Sequence, residues 1–447
     1  MIDIAPELVI IIMFGGLVLG SLTGHPIAFV LTGIGVIITW IGIGPHGTYL
    51  FIGRVFDTVT SEVIVAIPLF VLMATFLDRS GIASMLFNAI MYQLGGLRGG
   101  LGLTVVVMSV VFAASTGIIG AAVVGVSLIA MPTLLERGYS KELSSGVICA
   151  GGSLGILIPP SIMLVMMADQ SPPSIGALFA GAMIPGLLLG GLFFVYIVVL
   201  CRLKPDEGPA LPKEEMDKVT RAEKLRMLFG SLMPPVLLIL SVLGSIWFGF
   251  ATPTEAAGVG AFLALVLMIV YGKFTLQIFY ETLIRAVKTN CMVMATLIGA
   301  TIFTGAFMRL RADRVVTDFL LGMEGVGAWA VVLVMMLIVF IMGFFIDWIG
   351  IIFITFPIYI PIANSLGLDP LWFVIALAVN LQMSFITPPF GYALFYLRGT
   401  APKGVEISHI YRGILPFIGL QAVGLLIILL IPQLVLWFPK IVVGYGL

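Results

Sequence analysis

The sequence predicts an all-α polytopic membrane protein with two inverted repeats, each containing a re-entrant helical hairpin and a broken helix. Three observations support this fold class. The 447 residues are 60% hydrophobic and 10% charged, with mean hydropathy +1.20, whereas soluble domains carry about 25% charged residues. Two Pro-Pro pairs, Pro159-Pro160 and Pro388-Pro389, interrupt long apolar stretches. Matching residues in the two halves recur 229 positions apart.

Composition also limits the function classes. The net charge is zero, so no broad basic face for nucleic acid is expected. The pair Gly272-Lys273 is followed by Phe274, which excludes a phosphate-binding loop. Neither a nucleophile–base pair nor a carboxylate dyad is apparent within the apolar stretches. We therefore expect a transporter and not an enzyme.

The first part of the chain contains three apolar stretches that we predict to span the membrane, since a span needs about 20 apolar residues. The spans cover residues 7–22, 26–43 and 62–77. Residues 44–61 form a polar connection. Residues 81–98 are partly amphipathic and are predicted to lie along the membrane surface.

An uncharged run from Gly99 to Leu135 follows. At about 1.5 Å per residue it is far longer than the hydrocarbon core of about 30 Å. We therefore predict a hairpin over 99–136, whose tip lies in the small residues around Ser115 and Thr116. A broken helix over 141–169 and a further span over 175–201 complete the first repeat, 1–201.

The polar segment 202–227, in which Lys and Arg alternate with Asp and Glu, is predicted to be a cytoplasmic linker. It leads to the second repeat, 228–447. Placing the linker inside puts most basic residues in the cytoplasm and both termini outside. The predicted elements of the second repeat are spans 228–250, 256–272 and 289–308, a surface stretch 273–288, a hairpin 328–367, a broken helix 370–397 and a last span 410–437.

The repeat is visible in residue spacing. Pro132 and Pro361, Gly138 and Gly367, and Pro159 and Pro388 are each 229 positions apart. The order of elements agrees as well, since each half has a long apolar run, a short polar link, a broken span and an intact span.

The two breaks are the candidate binding site. Proline removes an amide donor and opens a helix, and opened backbone at membrane depth is tolerated where it lines a cavity. Paired breaks in two halves indicate the binding site of a secondary transporter. We expect hydroxyl groups at the hairpin tips and breaks to contact ligand; the alternative is that the small residues serve helix packing. The expected substrate contacts are Ser115, Thr116, Ser161, Asp347 and Thr387.

Asp347 is the only charge in the second apolar run, Ala328 to Gly367. A carboxylate at membrane depth costs about 2.5–3.5 kcal/mol, so we expect Asp347 to face a polar cavity, an ion or a donor. The alternative is a structural hydrogen bond at the hairpin tip. Arg309 and Arg311 could contact an anion or a partner, or lie in a solvated loop.

Several motifs resemble the large membrane subunit of TRAP (tripartite ATP-independent periplasmic) transporters, and the resemblance covers essentially the whole chain. The motifs are Ala114-Ser115-Thr116-Gly117, Arg137-Gly138-Tyr139, Gly155-Ile156-Leu157-Ile158-Pro159-Pro160-Ser161, Ala251-Thr252-Pro253-Thr254-Glu255-Ala256, Asp347 and Ile386-Thr387-Pro388-Pro389-Phe390-Gly391.

The resemblance implies an elevator-type ion transporter fold and Na⁺-coupled uptake of an organic acid anion, a carboxylate or a sulfonate. A periplasmic binding protein would deliver the substrate, and a small four-helix membrane subunit would brace the permease in the bacterial inner membrane. The resemblance also implies two Na⁺ sites. The first would use Ser115, Thr116, Gly155, Ile158 and Pro160, and the second Gly343, Ser384, Thr387 and Phe390. Ser384 stands where the family pattern has glycine.

One alternative stays open at this point. A dicarboxylate or ion/proton antiporter of the same broad fold would work without partners, and a requirement for a binding protein would separate the two. The sequence does not select among the acids.

Overall fold

A computed structural model describes residues 5–117, 119–323, 325 and 327–446, with residues 113–116 described by their backbone only. These residues form helices, short 3-10 turns and connections, with no strand among them. Within the described ranges, seven helices are long and apolar enough to cross a membrane, or eight if the bent pair 45–59 and 62–79 is one span. The protein is therefore a multi-pass membrane protein.

Nine helices form a group that we call the framework helices, in which α13 packs on α4 and α14 packs on α2. They are α1 (Pro6–Leu22), α2 (Ile27–Gly42), α3 (Thr48–Val59), α4 (Glu62–Arg79), α5 (Ile82–Leu94), α12 (Arg221–Trp247), α13 (Pro253–Val270), α14 (Leu276–Arg309) and α15 (Ala312–Leu321).

Eleven helices form a second group, the core helices, which contain both hairpins and both breaks. They are α6 (Gly100–Thr116), α7 (Ile119–Glu136), α8 (Lys141–Ser153), α9 (Ile162–Asp169), α10 (Ile175–Leu203), α16 (Ala328–Met342), α17 (Trp348–Ser365), α18 (Pro370–Ser384), α19 (Tyr392–Thr400), α20 (Ile407–Leu430) and α21 (Gln433–Val442). A short helix, α11 (Lys213–Met216), lies in the linker between α10 and α12.

The spacing of 229 found in the sequence also relates the helices. Adding 229 to the bounds of α7, 119 and 136, gives 348 and 365, which are the bounds of α17. The same shift takes the first residue of α8, Lys141, to Pro370, the first residue of α18. Both pairs are thus equivalent elements of the two halves.

Glycines allow the framework helices to approach closely, as expected where small residues line helix contacts in membranes. A Cβ added at Gly299 of α14 would lie 2.6 Å from the carbonyl oxygen of Ala28 in α2. One added at Gly35 of α2 would lie 2.9 Å from Ile302 of α14. Helix α2 is therefore held against the last third of α14.

The linker packs on the base of the first hairpin. The amide of Gly99 donates to the carbonyl of Gly208 at 2.7 Å, and the amide of Leu211 donates to that of Gly95 at 2.8 Å. Arg137 donates both guanidinium nitrogens to the carboxylate of Glu215 at 2.6 Å. Because an arginine–carboxylate pair with two parallel bonds has fixed geometry, the linker up to α11 is fastened to the core helices.

The structure corrects three sequence-based assignments. Residues 273–288 and 289–308 belong to one helix, α14, of 34 residues, because no glycine or proline interrupts the amphipathic part. The stretch 81–98 contains α5, which packs against α6 and α12, and its place along the membrane surface stays a prediction. Residues 44–61, predicted as a connection, contain α3. The last predicted span is divided into α20 and α21, since Pro432 follows the end of α20.

Candidate functional site

The first break is a fully buried segment between α8 and α9. After α8, residues Leu154–Ile156 form a 3-10 turn, and Pro159-Pro160 carries a cis peptide bond before α9 begins at Ile162. Ser161 caps α9: its hydroxyl accepts from the amide of Leu164 at 3.4 Å and donates to the carbonyl of Ile156. The hydroxyl of Ser161 is thus engaged locally.

At this break, three backbone carbonyl oxygens have no hydrogen-bond donor among the described residues. Among the described residues, no hydrogen bond reaches the carbonyl oxygens of Ile158, Pro159 and Pro160, although the segment is buried. Buried acceptors without partners are rare in native proteins, and carbonyl oxygens are ligands for hard cations. Three of the predicted Na⁺ ligands, Gly155, Ile158 and Pro160, lie in this segment.

The tip of the first hairpin reaches the break. Gly117 has φ of +60°, and a Cβ there would lie 3.2 Å from the amide nitrogen of Ile162. The left-handed conformation and the close approach both favour glycine. The tip backbone, with Ser115 and Thr116 just before Gly117, therefore adjoins the start of α9. The side chains of Ser115 and Thr116 lie outside the described residues.

The second break brings together the residues predicted for the second ion site. Gly343, at the end of α16, contacts Ser384, the last residue of α18, so closely that a Cβ at Gly343 would overlap the Ser384 hydroxyl. Ser384 donates to the carbonyl of Leu381 at 2.8 Å, and Thr387 donates to that of Met383 at 2.7 Å. The rings of Phe390 and Phe345 lie 5.2 Å apart, which joins the break to the second hairpin tip.

A cavity of about 570 Å³ lies between the framework helices and the two hairpin tips. Its framework side is formed by the α1–α2 turn and by the middle of α14. Its core side includes Ile119 and Gly120 at the first tip, Asp347 and Trp348 at the second tip, and Tyr392 after the second break. A smaller cavity of about 160 Å³ shares Phe345 and Tyr392 with it and reaches Phe390.

Two of the described lining residues can carry a full charge, Asp347 and His25. Asp347 is the N-cap residue of α17 and is partly exposed, as a residue facing a cavity must be. The amides of the first turn of a helix favour negative charge. Asp347 lines the cavity, and its predicted contact with a ligand stays a prediction.

The other predicted site residues lie around the cavity. Ser161 and Thr387 are not among its lining residues; they lie at the two breaks behind it. Arg309 ends α14 and is exposed, 13 residues beyond the cavity-lining Thr296, which is about 20 Å along a helix. Arg311, also exposed, has φ of +61°. Neither arginine lines the cavity in this conformation.

A buried polar cluster joins the two halves and was not predicted. The side-chain amides of Gln382 in α18 and Gln421 in α20 each donate to the hydroxyl of Ser153 at 3.2 Å. Ser153 donates in turn to the carbonyl of Ala150 at 2.7 Å, and all three side chains of the cluster are buried. Ser153 and Gln382 are 229 residues apart, so this bond joins equivalent positions of the repeats, each just before its break.

Comparison with known proteins decides the family. The chain matches the family described as "Tripartite ATP-independent periplasmic transporter, DctM component" over residues 14–434. The chain belongs to the DctM family of TRAP transporter large permeases. The resemblance found in the sequence is thereby confirmed, and the family consists of transporter subunits.

Curated TRAP permeases are similar over most of this chain. A C4-dicarboxylate TRAP transporter large permease protein from Pseudomonas aeruginosa is 33% identical over 87% of this chain and 88% of its own length. The isethionate TRAP transporter permease protein DctMQ of Oleidesulfovibrio alaskensis is 31% identical over 96% of this chain and 66% of its own length. The sialic acid TRAP transporter large permease protein SiaM of Vibrio cholerae is 30% identical over 86% of this chain and 87% of its own length.

Solved structures share the fold. The YdaH transporter of Alcanivorax borkumensis superposes with a TM-score of 0.61, covering 96% of this chain and 99% of its own, at 14% identity. The MtrF structure from Neisseria gonorrhoeae gives a TM-score of 0.53 at 14% identity, covering 88% of this chain and 84% of its own. These similarities concern the fold alone, and they confirm the predicted elevator-type fold class of this TRAP permease.

The contact between Gly343 and Ser384 gives a testable prediction. Gly343→Ala adds a Cβ that overlaps the Ser384 hydroxyl and lies 2.7 Å from the Ser384 Cβ. We expect the free energy of unfolding to fall by about 1–3 kcal/mol, the usual cost of overpacking. Thermal unfolding of the purified permease measures this change. The double variant Gly343→Ala/Ser384→Gly should recover most of the loss; equal instability in both variants would contradict this geometry.

Proposed function

We propose that this chain is the permease subunit of a Na⁺-coupled TRAP transporter that imports an organic acid anion, a carboxylate or a sulfonate. The observation that carries the proposal is the cavity in which both hairpin tips and the second break face the framework helices. Its volume of about 570 Å³ falls in the range of about 300–1,000 Å³ usual for small-molecule sites. The TRAP relatives named for C4-dicarboxylate, isethionate and sialic acid all carry acids in their names.

The carboxylate of Asp347 supports the coupling of anion transport to a cation. Asp347 is the only carboxylate among the described lining residues, and it would repel an approaching anion in a medium of low dielectric constant. A cation bound nearby removes this penalty. The open carbonyls at the first break suit one Na⁺ ion, together with Ser115 and Thr116. The cluster of Gly343, Ser384, Thr387 and Phe390 suits a second.

The arrangement of the two helix groups supports alternating access. In this proposal the core helices move as a body along the framework helices and carry the substrate with them. The cavity lies beside the α1–α2 turn, at the end of α1 that charge distribution assigns to the cytoplasm. The described conformation then corresponds to an inward-facing state.

Partners follow from the family. We propose that a periplasmic binding protein delivers the acid and that a small four-helix membrane subunit supports the framework helices in the bacterial inner membrane. Arg309 and Arg311, exposed at the end of α14 that is assigned to the periplasm, are candidate contacts for the binding protein.

Uptake into proteoliposomes tests the proposal. The permease and its small subunit are reconstituted, the binding protein is added outside, and uptake of succinate, isethionate and sialic acid is followed with and without an inward Na⁺ gradient. We expect uptake of at least one acid that requires both the gradient and the binding protein. Uptake without the binding protein would favour the antiporter alternative, and uptake driven equally by a proton gradient would overturn Na⁺ coupling.

Thr387 gives a test at single-residue level. Thr387→Ala removes one oxygen near the second break, and we expect the half-saturating Na⁺ concentration to rise about three- to tenfold, the equivalent of one hydrogen-bond-sized contribution. Sodium titration of uptake measures this. Thr355→Ala is the matched control, because Thr355 makes the same type of bond to Ile351 within α17. An unchanged sodium titration for Thr387→Ala would remove Thr387 from the ligand set.

A further inference from the structure

The turn between α1 and α2 places a histidine at the cavity. The turn comprises Thr23, Gly24, His25 and Pro26, and Gly24 has φ of +78°, which a glycine adopts without strain. Gly24, His25 and Pro26 all line the cavity. His25 is the only side chain among the described lining residues that can carry a positive charge. An acid entering this cavity therefore meets one possible cationic group.

Hydrogen bonding fixes which ring nitrogen is available. The Thr23 hydroxyl lies 2.6 Å from the carbonyl of Gly20 and donates its single proton there. The same oxygen lies 2.7 Å from Nδ1 of His25, so it accepts a bond from Nδ1–H. Nε2 then carries the lone pair of the neutral ring or the second N–H of the imidazolium.

His25 faces a mixed environment across the cavity. The other titratable groups that line it are Asp347 at the start of α17, Cys291 in α14, and Tyr392 and Tyr396 in α19. Asp347 supplies negative charge on the opposite side of the cavity. The tyrosine hydroxyls can donate further hydrogen bonds to an anion. The walls are otherwise largely apolar, which strengthens any charge pair formed inside.

We propose that His25 binds the acid group of the substrate as an imidazolium, through Nε2–H, and makes the cavity selective for acids. This rests on the proposed function. His25 belongs to a framework helix turn, so the bond forms only while the core helices bring the substrate beside that turn.

Protection of Cys291 from a maleimide tests this without transport. Cys291 is exposed and lines the cavity, whereas Cys149 and Cys201 are buried. The reconstituted permease complex is labelled at increasing concentrations of succinate, isethionate or sialic acid, and each rate is divided by the rate without acid at the same pH. The half-protecting concentration then measures affinity in the cavity.

His25→Gln should raise the half-protecting concentration about 10- to 100-fold, the loss expected for one hydrogen bond to a charged group. His25→Lys, which keeps a positive charge at this position, should retain protection by the acid. His46→Gln, an exposed histidine outside the cavity, should match wild type.

The outcomes separate the two proposals. If none of the acids protects wild-type Cys291 and none is taken up, the proposed function fails. If an acid is taken up and protects wild type, but His25→Gln shows the same half-protecting concentration as wild type, only the assignment of His25 is overturned.

Discussion

Asp347→Asn is expected to lower sodium-driven uptake about 10- to 100-fold, while the amount of folded protein stays unchanged. The carboxylate lies at the cavity wall beside the second hairpin tip. A charge at this depth costs about 2.5–3.5 kcal/mol, and in our account a bound cation offsets that cost. Asparagine keeps the shape and removes the charge, so a cation bound nearby loses its electrostatic attraction to the carboxylate. Initial uptake rates at fixed Na⁺, normalised to protein in the vesicles, measure the effect.

A second N-cap aspartate provides the matched control. Asp369 accepts bonds from the amides of Leu371 and Trp372 at 2.9 and 3.1 Å and does not line the cavity, whereas Asp347 does. Asp369→Ala should therefore lower the free energy of unfolding by about 0.5–2 kcal/mol and leave the sodium titration of uptake unchanged. If Asp347→Asn instead lost folded protein and uptake in equal proportion, Asp347 would be a structural residue.

Gly413→Ala is expected to prevent stable folding. Helices α8 and α20 meet backbone to backbone at this point. A Cβ at Gly413 would overlap the carbonyl oxygen of Glu142 and lie 2.7 Å from its carbon, and one at Gly146 would overlap the carbonyl of Gly413. Backbone atoms cannot rotate away as a side chain can, so the helices must separate. We expect the free energy of unfolding to fall by more than about 3 kcal/mol, which exceeds the usual cost of overpacking.

The control is on the same helix. Gly419 has no atom within 4 Å of its added Cβ, and alanine favours helix over glycine by about 0.8–1.0 kcal/mol. Gly419→Ala should therefore be neutral or stabilising. Size-exclusion chromatography and thermal unfolding of both variants in detergent give the comparison. A Gly413→Ala permease that elutes and melts like wild type would show that α8 and α20 are not in direct contact.

The repeat could be predicted from sequence because proline and glycine act locally. Pro159-Pro160 and Pro388-Pro389 marked both breaks, whereas the pair Pro234-Pro235 lies within the unbroken helix α12. The breaks were recognised because these two pairs recur at the repeat spacing of 229, which also identified α7 and α17 as equivalent helices. Asp347 was also informative, because one charge in a long apolar run needs a specific environment.

The features that were not predicted from the sequence depend on tertiary packing. Polar residues in 273–288 indicated a surface segment, but a helix without breakers continues through them into the membrane part of α14. The hydrophobicity of this segment was read correctly, but the continuity of the helix was not.

The cluster of Ser153, Gln382 and Gln421 carried a signal that was overlooked. Glutamine inside an apolar helix needs a hydrogen-bond partner, and Ser153 and Gln382 differ by the repeat spacing. The third member, Gln421, is not predictable in this way, because α20 reaches the cluster only through its close contact with α8. The cavity likewise depends on how the framework and core helices are arranged, which no local pattern encodes.

The cavity between the framework helices and the two hairpin tips is the proposed transport site. A high-resolution cryo-EM map of the permease with its small subunit, collected with Na⁺ and a saturating transported acid, tests this most directly. We predict density for the acid in that cavity, bounded by His25, Asp347 and Tyr392, with ion density at the two breaks. Acid density elsewhere in the protein, with this cavity empty, would contradict the account.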